Sequence, residues 1–314
     1  TMQSKTNSML SRPLVVMLLA SLCCLLWGSA IPFINLGYRY FAIDGSDTAT
    51  QILFGGCRFF LAGILTILFE SVAQKRIALP KKTSWGNVVK LSLAQTIIQY
   101  VFFYIGVAHT ASAKGAIIQG LQAFMSILIA CFVFRSEKMN ALKWIGGFIG
   151  VAGVVVVNWT KDGFGGGMRF IGEGFVIISM LASACSTGLI KKFGAHDSPV
   201  VMSGWQFTLG GAVMMLGGFF AGGRLHASSP LAYAVLLYLA LVSAVAYSIW
   251  AVLLRVNPVS RVAVYTFLQP IFGVLLSLTL VDRGSEAPLL RYAVALVLIC
   301  VSIAVVNRGQ RQEG

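Results

Sequence analysis

Polar side chains able to handle a small molecule stand inside long apolar runs of this sequence. Gln95, Gln99, Tyr100 and Tyr104 fall in one run, Gln119 and Gln122 in the next, and Ser179, Ser183 and Ser186 further on. Tyr247 and Trp250, then Tyr265, Thr266 and Gln269, follow nearer the end, and Trp27 lies midway along the first run. On a helix, positions three, four and seven apart share a face. Gln95 with Gln99, Gln119 with Gln122, and Thr266 with Gln269 therefore each form one polar patch. Amides hydrogen-bond without carrying charge, and aromatic rings pack on apolar groups or hold an ammonium by cation–π attraction. Such a set suits a neutral or zwitterionic organic molecule, with Trp27, Gln99, Tyr100, Gln119, Gln122, Tyr247, Trp250, Tyr265 and Gln269 as candidate substrate-binding residues. The alternative use of the same groups is hydrogen bonding between helices and the filling of space.

Charges inside the runs are few. Arg58 is the most informative, because a guanidinium within a membrane span costs at least ~2.5 kcal/mol and calls for a partner. It serves either as a structural clasp on helix carbonyls or a loop carboxylate, the use its position favours, or as the anchor for a substrate carboxylate. Lys90 is expected to snorkel. Lys114 and Arg261 stand at span mouths, where they attract anionic groups or mark the ends. Of the ten carboxylates, none falls mid-span; Glu173 is near a span end, as is His109. Proton-coupled carriers keep an acid in the membrane as a relay, so facilitated diffusion or exchange fits better than carboxylate-based proton antiport. No catalytic residue set, metal site or cofactor motif is present: there is no P-loop, HExxH or nucleophile elbow, and six cysteines lie apart from any CxxC pair.

The elements that must position these residues follow from composition. Of 314 residues, 57% are hydrophobic and only 11% charged, against roughly a quarter charged in soluble proteins. Lipid is therefore the solvent, and runs of about 20 apolar residues select helices over a barrel. Ten spans are predicted, at 13–34, 50–70, 86–108, 115–134, 142–159, 171–190, 199–221, 231–253, 261–281 and 289–306. The first resembles a signal peptide, but with so many spans behind it an uncleaved helix is expected. The net charge of +14 reflects Lys and Arg in cytoplasmic loops rather than a nucleic-acid surface. Their distribution predicts a multi-pass protein of the bacterial cytoplasmic (inner) membrane with both termini cytoplasmic. Small residues at Gly146, Gly147, Gly150 and Gly153 predict close helix packing within one chain, hence a monomer or weak dimer whose partners are its substrate and the bilayer.

The chain also repeats itself. At an offset of 147, Tyr100 meets Tyr247, Lys114 meets Arg261, and Leu121-Gln122 meets Leu268-Gln269. At 148, Gly56, Phe59, Leu61 and Gly63 meet Gly204, Phe207, Leu209 and Gly211. Five spans per repeat is odd, so the second half (171–306) enters the membrane upside down relative to the first (13–159). The expected fold is an all-α membrane protein of ten transmembrane helices arranged as two inverted five-helix repeats, an architecture of secondary transporters.

Several motifs, in order, resemble the drug/metabolite transporter superfamily in its EamA-like ten-span branch. These are Leu26-Trp27-Gly28-Ser29, Arg58-Phe59 before Leu61-Ala62, Glu137 followed by Gly146, Gly150 and Gly153, and Gln269-Pro270. The likeness runs from about Leu14 to Asn307. Ala123 departs from it, standing where the other half has Pro270, and the last connection lacks a clean match to the family's Glu. The resemblance implies a secondary carrier without nucleotide, an exporter of amino acids or related metabolites.

Overall fold

A computed structural model describes residues 8–109, 118–158, 169–195, 197–280 and 289–311. Every regular element among them is helical. The long helices are α1 (Pro13–Tyr40), α2 (Thr48–Gln74), α3 (Trp85–Ser92), α4 (Gln99–Ala108), α5 (Gln122–Leu128), α6 (Ala141–Asn158), α7 (Phe175–Phe193), α8 (Pro199–Phe220), α9 (Leu231–Val256), α10 (Val259–Ala263), α11 (Gln269–Leu280) and α12 (Leu289–Arg311). Wider π-helical turns carry the chain through Leu93–Ile98, Ile129–Val133 and Phe170–Gly174, and a tighter 3₁₀ segment through Val264–Leu268.

Seven of these helical stretches are long and apolar enough to cross a bilayer: Pro13–Tyr40, Thr48–Gln74, Lys82–Gly106, Phe170–Phe193, Pro199–Phe220, Leu231–Val256 and Ala293–Gln310. They correspond to seven of the ten predicted spans. The stretches at Ile118–Val133 and Ala141–Val156 are shorter apolar helices. The predicted span 261–281 is divided among α10, the 3₁₀ segment and α11. Lys114, Asp282 and Glu286 lie outside the described residues.

Local signals explain the boundaries. Pro13 and Pro199 occupy first-turn positions, where the missing N–H is not needed. Asp47 caps α2, its carboxylate accepting from the Thr50 N–H at 3.0 Å. After α8 the chain reverses at Gly222, whose φ of +99° favours glycine.

The packing is that of a protein in lipid. Leu14, Leu18, Leu22 and Leu25 form an exposed apolar stripe on α1, while Thr50, Arg58, Gln95, Gln99 and Gln206 are buried. Backbone polar groups stay inside helices, as hydrocarbon requires.

Two seams hold the bundle. Along the first, Ala49 meets Gly223, Leu53 meets Gly218, Gly56 meets Met215, Phe60 meets Gly211, Gly63 meets Thr208 and Ile67 meets Gly204. The numbers descend on α8 as they ascend on α2, so these helices run antiparallel. The approach is close enough that a Cβ on Gly56 would stand 2.3 Å from the Met215 nitrogen, and one on Gly211 2.3 Å from the Phe60 nitrogen. In the second seam, Gly146 faces Ser302 and Val306 while Gly153 faces Ala295 and Ile299, again antiparallel. The Ser302 hydroxyl donates to the Gly146 carbonyl at 2.6 Å. The glycine-rich face of α6 thus packs within the chain, as its spacing predicted. Between the seams, α9 and α11 pack on α1, and α4 and α5 pack on α7.

Candidate functional site: a polar chamber within the bundle

Helices α1, α2, α4, α5, α7, α9 and α11 surround a hollow that opens toward solvent. Nine residues predicted for the site come together on its wall: Trp27 from α1, Arg58 from α2, Gln99 and Tyr100 from α4, Gln119 and Gln122 at the start of α5, Tyr247 and Trp250 from α9, and Gln269 from α11. Ser183, Ser186 and Thr187 of α7 complete its polar side. Tyr265 and Arg261 go elsewhere. They line a separate hollow with Pro13, Pro258, Asn307 and Gln310, where the Arg261 guanidinium donates to the Ser11 carbonyl at 3.0 Å.

Two aromatic residues of the wall, Tyr100 and Tyr247, belong to a closed ring of four whose other members, Phe59 and Phe207, are buried behind it. Tyr100 and Tyr247, which the 147-residue offset pairs, join through their hydroxyls at 2.6 Å. Phe59 and Phe207, paired by the 148-residue offset, stack at 5.4 Å and 21°. Phe59 packs on Tyr100 at 4.2 Å and Phe207 on Tyr247 at 4.9 Å. Residues matched by the repeat therefore meet their own counterparts. Trp27 closes against Tyr247 and Trp250, each at 5.0 Å.

The amides divide by task. Gln95 is committed to the framework: its carbonyl accepts from Gln206 at 3.0 Å, and Gln206 in turn accepts from the Thr96 hydroxyl at 2.7 Å. Gln122 donates to the Ser183 hydroxyl at 2.6 Å across to α7. By contrast, the Gln99 side-chain amide oxygen and the Trp27 indole N–H are buried with no hydrogen-bond partner. A buried unpaired polar group costs roughly 1–3 kcal/mol, which a polar ligand removes. The π-helical turn at 93–98 helps place these groups, since an extra residue per turn shifts Gln95 and Gln99 from simple helical register.

Arg58 is buried, with 2% of its surface exposed. Its Nε donates to the Ser243 hydroxyl at 3.0 Å, and its guanidinium carbon lies 5.1 Å from the centre of the Phe59 ring. The sequence suggested a carbonyl or loop carboxylate as partner; the structure supplies a hydroxyl instead. Ser243 went unnoticed in the sequence, although it stands one helical turn before Tyr247 on the same face of α9.

At one end of the bundle, loops and helix ends are tied by a polar cluster. Glu137 accepts from the Ser260 N–H at 3.1 Å, from the Ser260 hydroxyl, and from Gln310 at 2.8 Å, and pairs with Lys143 at 3.3 Å. Lys191 donates to the Asn257 carbonyl at 2.7 Å, and Asn257 donates to Leu10 at 3.0 Å. Glu137 thus ties its own loop to the start of α10 and the end of α12.

Many membrane-crossing helices around an amide- and aromatic-lined chamber define a multi-pass membrane transporter. The chain belongs to the EamA-like transporter family, whose model matches it twice, over residues 14–159 and 170–308. It is 26% identical to the uncharacterized transporter YvbV of Bacillus subtilis, over 94% of this chain and 92% of the relative. It is 25% identical to a probable amino-acid metabolite efflux pump of Escherichia coli, covering 84% of this chain and 86% of that one. A solved crystal structure with 16% sequence identity superimposes with a TM-score of 0.76, over 95% of this chain and 99% of its own, and so shares the fold.

Proposed function

We propose that this protein is a secondary carrier that moves a small polar organic metabolite, such as an amino acid, across the bacterial inner membrane by alternating access, as an exporter or facilitator. In this reading ten spans form two inverted halves, 13–159 and 171–306, with both termini in the cytoplasm and the chain acting as a monomer.

The observation that carries the proposal is the chamber, walled by repeat-matched residues of both halves. Its Tyr100–Tyr247 contact joins equivalent positions across the molecule. The antiparallel run of α2 against α8, and of α6 against α12, supports the inverted arrangement, as does the double match to one family model. Inverted halves enclosing a midplane site open alternately to either side by exchanging conformations. The Glu137 cluster supports a state shut at its own end of the chamber. No carboxylate lines the chamber among the described residues, which favours facilitated movement or exchange over a carboxylate proton relay. The Escherichia coli relative, named a probable amino-acid metabolite efflux pump, agrees with an amino-acid substrate.

Purified protein in liposomes tests this directly. A panel of labelled amino acids should include one whose uptake saturates and is accelerated by unlabelled substrate inside. Tyr100→Ala and Gln122→Ala should impair that exchange. Unitary currents, or flux without trans-stimulation, would contradict the carrier reading, and unchanged exchange in both variants would contradict the chamber as its site.

A further inference from the structure

We infer that the chamber selects molecules bearing a carboxylate, and that Arg58 is the group that binds it. This deepens the carrier reading and rests on the chamber being the substrate site.

The argument begins with an imbalance of charge. Arg58 is almost wholly buried in the middle of α2 and lies on the chamber wall. A guanidinium has five N–H donors. One is used, by the Ser243 hydroxyl at 3.0 Å. Ser243 passes its own proton to the Leu239 carbonyl at 3.0 Å, so it is a neutral acceptor held in place by its helix. The Tyr104 hydroxyl, also neutral, interacts with the guanidinium as well. The Phe59 ring offers a cation–π contact. None of these carries a negative charge, and no carboxylate of the described residues pairs with Arg58 or reaches the chamber.

A buried cation without a counter-ion is costly, and an anion at bonding distance offsets that cost. Ser243, Phe59 and Tyr104 hold the guanidinium without using all of its N–H donors, and the remaining donors are open to a ligand. Arginine's planar fork matches a carboxylate through two parallel hydrogen bonds. A single cation points to a single carboxylate.

The remaining unpaired atoms suggest the rest of the ligand. The Gln99 side-chain amide oxygen is an acceptor with no donor, and the Tyr100, Tyr247, Trp27 and Trp250 rings lie alongside. An ammonium satisfies both, by hydrogen bond and cation–π attraction. The ligand class is therefore a zwitterion, carboxylate toward Arg58 and ammonium toward Gln99, with its side chain against the aromatic wall. A plain amine lacks the group that neutralises Arg58 and adds a second positive charge beside it.

Intrinsic fluorescence of the purified protein, which carries Trp27 and Trp250 in the wall, reads binding independently of transport. Titration compares amino acids with their amides, in which the carboxylate becomes a neutral carboxamide. The expected result is binding of the acids at least about tenfold tighter than of the amides, the scale of a charged hydrogen-bonded pair. Ser243→Ala, which frees the guanidinium while leaving its charge, should narrow that preference. Arg58→Lys should retain part of it and Arg58→Gln should abolish it. Equal binding of acids and amides by the unaltered protein, or no binding by any acid in the panel, overturns the inference without relying on any variant. The two proposals separate cleanly. Carboxylate preference without trans-stimulated exchange leaves Arg58's role standing and removes the carrier reading. Exchange that treats amides and acids alike does the reverse.

Discussion

The seams and the chamber are built from the same kind of residue run, yet they differ in regularity. Along α2 against α8 and α6 against α12, the helices are continuous and glycines bring backbones together. At the chamber, a π-helical turn at 93–98 carries Gln95 on the wall, and the helices that supply Gln122, Ser183 and Gln269 adjoin irregular segments at 129–133, 170–174 and 264–268. In lipid the backbone tolerates irregularity only where protein or a cavity satisfies it. The seams, with small residues and close contact, have no room for it. The helix carrying Gln95 and Gln99 does, and its π-helical turn re-aims side chains toward the hollow. The difference assigns stability to the seams and substrate handling to the chamber.

The sharpest way to break that division is to load a seam. In Gly63→Val, the first added carbon would lie 2.3 Å from the Thr208 hydroxyl and 2.4 Å from its backbone nitrogen. Gly211→Val meets the Phe60 backbone just as closely. Both variants are expected to lose the monodisperse peak on size exclusion, and a normal peak with normal exchange would refute the seam's role. Next in size is Glu137→Ala, which removes an ion-pair partner of the fully buried Lys143. Loss of one partner of a buried pair costs about 3–5 kcal/mol, so melting should fall by several degrees while chamber ligands still bind.

Chamber substitutions should act on function before stability. Gln122→Ala removes a hydrogen bond to Ser183 worth about 0.5–1.5 kcal/mol. It should raise the exchange KM roughly two- to tenfold, with melting little changed. An equal loss of stability and activity would blur the contrast between regions. The smallest effect is expected at Gly217, which lies on the same helix as the seam glycines but has open space around it. Gly217→Ala should be neutral or stabilising by about 0.5–1 kcal/mol, and its contrast with Gly211→Val isolates close approach as the cause.

Much of this division was legible in the residues. The apolar runs located the helices, and the offset pairs Tyr100 with Tyr247 and Phe59 with Phe207 turn out to touch in the structure. Trp27 and the amides Gln99, Gln119, Gln122 and Gln269, singled out in the sequence, lie along one hollow. Tyr265 shows where that reasoning stopped. Four positions before Gln269, it should share a face with it in an α-helix. The 3₁₀ segment advances each residue by about 120° rather than 100°, so four residues accumulate about 80° of difference, and Tyr265 joins Arg261 instead. Periodicity cannot announce its own interruption. The partner of Arg58 was hidden for another reason: Ser243 is 185 residues away, and only the packing of α9 on α2 brings them together.

Alternating access makes one demand that no static chamber makes: its two mouths must move oppositely. Spin labels at Lys138 and Arg255 span the end tied by Glu137, and labels at Tyr40 and His109 span the other. Distance distributions in liposomes, with and without saturating substrate, should change with opposite sign at the two ends. Changes of the same sign, or no change at either end while substrate is being exchanged, would contradict the account.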